Sequence, residues 1–226
     1  MDAIAVSIVL VVFVSALLVG TGLEEQPGLG VLGAIGIIGL ALWARGDGIG
    51  ALGFEAPASW WSTLALALTL AVAMQVLSVV LVDPVAEKLA GAPPDHSVVA
   101  GVKGSWKAFG LWMLLVWLVV APIEEAVFRG FLMTEIARIV GTAPWANALN
   151  VLVASVVFGL AHGYQGRSGV VSTGVVGAVL GWVFVASDFD LWLVVLTHGF
   201  VDTIGIALIA VGADEAIRRR LGRGAR

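Results

Sequence analysis

Cysteine is absent from the 226 residues. Its absence excludes disulfides, cysteine-ligated zinc, iron–sulfur clusters and thiol nucleophiles. Histidine is scarce: His96, His162 and His198 are the three in the chain, so any imidazole chemistry must draw on them. Charge is scarce too. Asp, Glu, Lys and Arg make up 12% of the residues, where soluble domains carry about 25%. No basic stretch precedes the first apolar run, where Asp2 is the sole charge, so the N-terminus reads as a first span and not as a cleavable signal peptide.

Apolar runs fill the space these residues leave. The chain is 60% hydrophobic with a mean hydropathy of +1.04, and several runs reach or approach the ~20 residues that cross a bilayer. The fold class expected is all-α, a polytopic transmembrane helix bundle. The spans fall at 3–20, 31–44, 60–82, 106–140, 146–162, 169–186 and 191–211. That makes about seven, with six or eight if the fourth element splits or a short span is re-entrant. The third should end at Asp83-Pro84. The chain then reads as one membrane domain, 1–226: spans 1–3 with a loop (1–105), core helices (106–211) and a basic tail (212–226). The lipid bilayer is an expected partner and nucleic acid is not.

Glycines spaced by three and four suggest close helix packing: Gly30, Gly33, Gly36 and Gly39 in the second span, Gly174, Gly177 and Gly181 in the sixth. Simple tolerance of glycine in membrane helices is the other explanation for the first set. With seven spans, Lys88, Lys103, Lys107, Arg167 and the five tail arginines fall at one end and Arg45 and Arg138 at the other. The positive-inside rule then puts the C-terminus in the cytoplasm and the N-terminus outside, the cell membrane being the expected location. The acidic first loop, with Glu24 and Glu25, gives that orientation no support. The arginine tail could also bind anionic lipid.

The centre of the 106–140 run carries Glu124, Glu125 and Arg129. A charge at membrane depth costs roughly 2.5–3.5 kcal/mol even on lenient scales. Glu125 and Arg129 are four apart, so they share a helix face and can neutralise each other. Glu124 lies about 100° around the helix, a carboxylate left for chemistry. Pro122 should kink the helix just before it. His198 and Asp202 are four apart on the last span, and so are Phe158 and His162 on the fifth. Each feature has a plain alternative: a charged collar at a span's end, an interfacial His162, an interhelical His198–Asp202 pair. His96 lies among turn formers and reads as an ordinary loop residue. Together, a carboxylate and an imidazole can hold and deprotonate a water, while a second imidazole steadies an oxyanion. The same set, Glu124, His162 and His198, could instead hold a catalytic zinc ion.

The three patterns, Glu-Glu-x-x-x-Arg at 124–129, Phe-x-x-x-His at 158–162 and His-x-x-x-Asp at 198–202, resemble the motifs of the CPBP intramembrane proteases. These are relatives of the type II CAAX prenyl endopeptidases and bacteriocin-processing proteins, also called the Abi family. The resemblance spans roughly 106–210, with Pro122, Phe128, Gly130 and Gly159 matching as well. It implies an intramembrane endopeptidase acting on a membrane-proximal or lipidated peptide, including a prenylated one. Glu124 would be the general base, Glu125 its partner holding Arg129, His162 the orienter of the water, and His198 with Asp202 the oxyanion side. Such proteins are described both as metalloproteases, with Zn2+ the candidate ion, and as glutamate proteases. Many relatives carry Asn at the position of Asp202. An ionised Asp accepts hydrogen bonds but does not donate, so Asp202 is protonated, or orients His198, or favours a metal. Two other functions use the same residues: a non-proteolytic member of the fold that sequesters a partner, and a transporter or proton relay.

Overall fold

The computed structural model of the protein describes residues 3–220. Among these every regular element is helical, as a chain that must satisfy its backbone inside lipid requires. Seven helices are long and apolar enough to cross a membrane. They are α1 (Ala3–Leu23), α2 (Pro27–Arg45), α3 (Trp60–Ala90), α4 (Trp106–Val140), α5 (Pro144–Ala161), α6 (Gly166–Ala186) and α7 (Leu191–Ala210). A short 3-10 turn, Gly163–Gln165, leads into α6, and a short helix α8 (Ala213–Arg220) follows α7. The chain is an integral membrane protein. Of the predicted tail, 221–226 with Arg223 and Arg226 lies outside the described residues, as does Asp2.

Local chemistry sets the helix ends. Pro27 and Pro144 open α2 and α5, where a missing N–H costs nothing. Ser59, Ser105 and Asp190 cap α3, α4 and α7 by accepting the N–H of Ser62, Ala108 and Leu193. Gly91 closes α3 in the left-handed region at φ 79°.

The third span does not end at Asp83-Pro84 as its sequence led us to expect; it runs on to Ala90. A π-turn, Ser78–Val82, precedes Pro84, and the Asp83 N–H bonds the Ser78 carbonyl five residues back. Pro122 in α4 is treated the same way. A π-turn covers Val116–Val120, and the Ala121 N–H bonds the Val116 carbonyl. The widened turn takes up the missing donor and the ring's conflict with the preceding turn. A second π segment, Ala126–Met133, follows the two glutamates. Where a kink was expected at Pro122, the helix changes register through a π-turn and continues as one 35-residue helix.

The core lies where α1, α4, α5, α6 and α7 meet, around Leu18, Phe128, Phe131, Phe158, Phe184 and Leu191. α5 packs closely on α6, and α7 on α3. The sixth-span glycines are used there: a Cβ on Gly177 would stand 2.9 Å from the Phe158 ring, and one on Gly181 would be 3.3 Å from Val151. In α2, Gly30 and Gly33 lie against Thr21 and Leu17 of α1, while Gly36 and Gly39 have nothing within 4 Å, so half of that stripe serves packing. Glu135 of α4 is 1% exposed and receives both terminal nitrogens of Arg45 at 2.5 and 2.9 Å. That pair fastens α2 to the core helix.

At the opposite end four connections gather. The Gly104 N–H bonds the Ala210 carbonyl, and the Asp95 N–H bonds the Gln165 carbonyl. Arg218 meets both oxygens of Glu87 at 3.2 Å, and Lys103 pairs with Glu215. The last pair holds the exposed Glu215 carboxyl below the usual carboxylate range, through the hydrogen bond and charge of Lys103. This end carries Lys88, Lys103, Lys107, Arg167 and the arginines of α8.

Candidate active site

Glu124 and Glu125 are neighbours in α4 that face different surroundings. The Glu125 side chain is fully buried. One of its oxygens, Oε1, accepts from Arg129 Nη1 at 2.8 Å and from His198 Nδ1 at 2.7 Å. Arg129 is 1% exposed. Its second terminal nitrogen donates to the Gly177 carbonyl at 3.0 Å, and its guanidinium lies 4.5 Å from the centre of the Phe158 ring. The pair read from its spacing is present, but it does more than neutralise itself: Glu125 also fixes the last-span histidine. Because a carboxylate only accepts, His198 donates through Nδ1–H. Its Nε2 stands 3.5 Å from Asp202 Oδ2.

The Glu124 side chain retains 18% of its exposure and faces His162, with Oε2 3.8 Å from Nε2. His162 sits just past the end of α5. Its Nδ1 donates to the Phe158 carbonyl at 2.8 Å, which leaves Nε2 of the neutral ring as an acceptor turned toward Glu124. The gap is too long for a direct hydrogen bond and suits a bridging water.

Phe158 joins the two halves of the site. Its ring meets Phe128 edge-on at 4.7 Å, His162 at 4.6 Å and His198 at 6.4 Å, and it lies under Arg129. The site therefore gathers all six residues read from the sequence: Glu124, Glu125, Arg129, His162, His198 and Asp202. His96 lies exposed in the loop before α4, as its context implied.

Sequence reasoning missed several supports. Trp117 covers Gly199, where a Cβ would fall 2.8 Å from the indole. The indole also donates to Thr203 Oγ1 at 3.1 Å and packs edge-on against Phe200, so it brackets the turn that carries His198 and Asp202. Position gave a hint, since Trp117 lies two helical turns before Glu124 on the same face. Tyr164 and Gln165 lie in the short turn after His162, where no spacing pattern singles them out.

Among the described residues no three His, Asp or Glu side chains are disposed to hold a metal ion, so zinc on Glu124, His162 and His198 finds no ready set of ligands in this arrangement.

Residues 106–204, from the start of α4 to the middle of α7, match the family model described as type II CAAX prenyl endopeptidase Rce1-like. No curated protein and no solved structure matches. The matched segment, a little under half of the chain, contains every residue of the site, and it supports a CPBP, or CAAX protease, family assignment.

Proposed function

We propose that the protein is an intramembrane endopeptidase that hydrolyses a peptide bond of a membrane-proximal or lipidated substrate with a water held between Glu124 and His162. The 3.8 Å separation of Glu124 Oε2 from His162 Nε2 carries this reading. A water there can donate to both. Glu124 takes a proton as the water oxygen bonds to the carbonyl carbon. The tetrahedral oxyanion develops on the side of His198 and Asp202, where Glu125 holds the His198 ring. The C–N bond then breaks as Glu124 passes its proton to the departing amine, so one carboxylate serves as base and then as acid. Glu125 and Arg129 form the buried frame, and no step is routed through a metal.

His162 closes α5 beside the loop that carries Asp95, so the site lies toward the basic end of the bundle. By the positive-inside rule that end is cytoplasmic, with the N-terminus outside and the chain in the cell membrane. A prenyl group is one lipid such a substrate could carry, its tail lying in the bilayer beside the site.

The test is cleavage of a quenched fluorescent peptide ending in a farnesylated Cys-aliphatic-aliphatic-X sequence, and of the same peptide without lipid, by purified wild type and Glu124→Ala. Glu124-dependent cutting supports the reading. Cutting of the lipidated peptide alone adds prenyl recognition. Cutting of neither by folded wild type contradicts the reading and favours a protein that binds a partner without cleaving it.

A further inference from the structure

The oxyanion side of the site is short of donors. His198 spends Nδ1–H on Glu125 and turns Nε2 to Asp202 at 3.5 Å, and a carboxylate there accepts but does not donate. A carboxylate beside a developing oxyanion opposes it. Tyr164, the sole tyrosine of the chain, sits beside His162 at the edge of the site. It follows His162 by two residues, and its ring lies 5.7 Å from the imidazole at an interplanar angle of 36°. It is half-buried and within electrostatic reach of both Glu124 and Asp202.

The phenol is held by a short chain of hydrogen bonds. Thr173 of α6 donates to Gln165 Oε1 at 3.1 Å. That fixes the amide so that Gln165 Nε2 donates to Tyr164 Oη at 3.2 Å. The Gln165 backbone is itself tied to Asp95, and its Cβ packs where Gly169 has no side chain, since a Cβ there would be 2.2 Å away. Tyr164 therefore accepts one hydrogen bond and keeps its own proton, which it gives to no other described residue. These contacts hold the phenol in place beside His162.

We propose that Tyr164 is a further catalytic residue, donating its phenolic proton in a hydrogen bond to the oxyanion of the tetrahedral intermediate. It supplies the donor that Asp202 cannot. No bond to the phenolic hydrogen breaks, and the hydrogen bond is released as the C–N bond breaks and the carbonyl re-forms. The role rests on the peptidase reading above.

The test compares wild type, Tyr164→Phe, Asp202→Asn and the double variant on the farnesylated and plain peptides, reading kcat and KM separately with thermal unfolding alongside. Phe keeps the ring against His162 and removes one hydroxyl. The expected result is a fall in kcat of about 10²–10³-fold, the usual cost of one oxyanion donor, with KM and the unfolding temperature unchanged. An Asn at 202 brings an amide donor, so Tyr164→Phe should cost less in the Asp202→Asn background. If wild type cuts a peptide and Tyr164→Phe keeps its kcat, or its loss appears in KM or unfolding alone, the role is overturned and the peptidase reading stands. If folded wild type cuts neither peptide, the reading and this role fall together.

Discussion

Glu125 and His198, 73 residues apart in sequence, meet at 2.7 Å in the buried centre of the bundle. The same Glu125 oxygen takes a hydrogen bond from Arg129, so one carboxylate ties α4 to itself and to α7. Removing it strands a guanidinium inside the protein. Breaking a buried pair from one side costs about 3–5 kcal/mol. Glu125→Ala should therefore lose both activity and stability, seen as a lower unfolding temperature in detergent. Glu124→Ala, at a side chain that faces His162 and no buried cation, should lose activity while its unfolding temperature stays near wild type. Equal destabilisation by the two would contradict this division of roles.

Gly199 has an indole where a side chain would go. A Cβ would stand 2.8–3.0 Å from three Trp117 ring atoms, so Gly199→Ala must push the ring or its own helix aside. His198 is the adjacent residue. A misplacement near 1 Å can cost about 10²-fold in rate, and that loss in kcat is expected. Trp117→Phe in the same background frees space and should restore part of it. Kinetics of the single and double variants check this.

Phe158 touches Phe128, His162 and Arg129 together. Phe158→Ala should cost about 3–5 kcal/mol, as for other large-to-small core changes. Gly177→Ala, which drives a methyl to 2.9 Å from the Phe158 ring, should cost about 1–3 kcal/mol by overpacking. Unfolding curves of both variants measure this, and a Gly177→Ala protein as stable as wild type would show that Phe158 can yield.

Chelation provides a separate check. Because no three donors converge among the described residues, a strong chelator should leave peptide cleavage unchanged. Activity lost to chelator and regained with Zn2+ would contradict this and show that the working site holds a metal ion.

Much of this was legible in the sequence because bilayer physics is restrictive. Long apolar runs must be helices, and charges at depth must pair. Glu125–Arg129 and His198–Asp202 followed from four-residue spacing, and Glu124's separate facing followed from helical geometry. The end of α3 did not follow. Asp83-Pro84 looks like a terminus in sequence, and the π-turn that carries the helix past it depends on backbone register that composition does not display. The Glu125–His198 bond was hidden for a related reason: spacing describes one helix at a time, while this contact depends on how α4 and α7 pack. Tyr164 and Gln165 carry no signal in the sequence, because a polar turn after a span looks like a connector. Glu135, also in the 106–140 run, was an available signal, since a carboxylate there needs a cation, and Arg45 supplies it.

The most direct test of the central claim is the initial rate of peptide cleavage by wild type and Glu124→Gln at matched protein folding. Gln keeps the size of the side chain and removes its basicity. A positioned general base contributes about 10²–10⁴-fold, and the account predicts a loss in that range, with KM little changed. A Glu124→Gln protein that cuts as fast as wild type would contradict it, because the water between Glu124 and His162 would then not be the one that attacks.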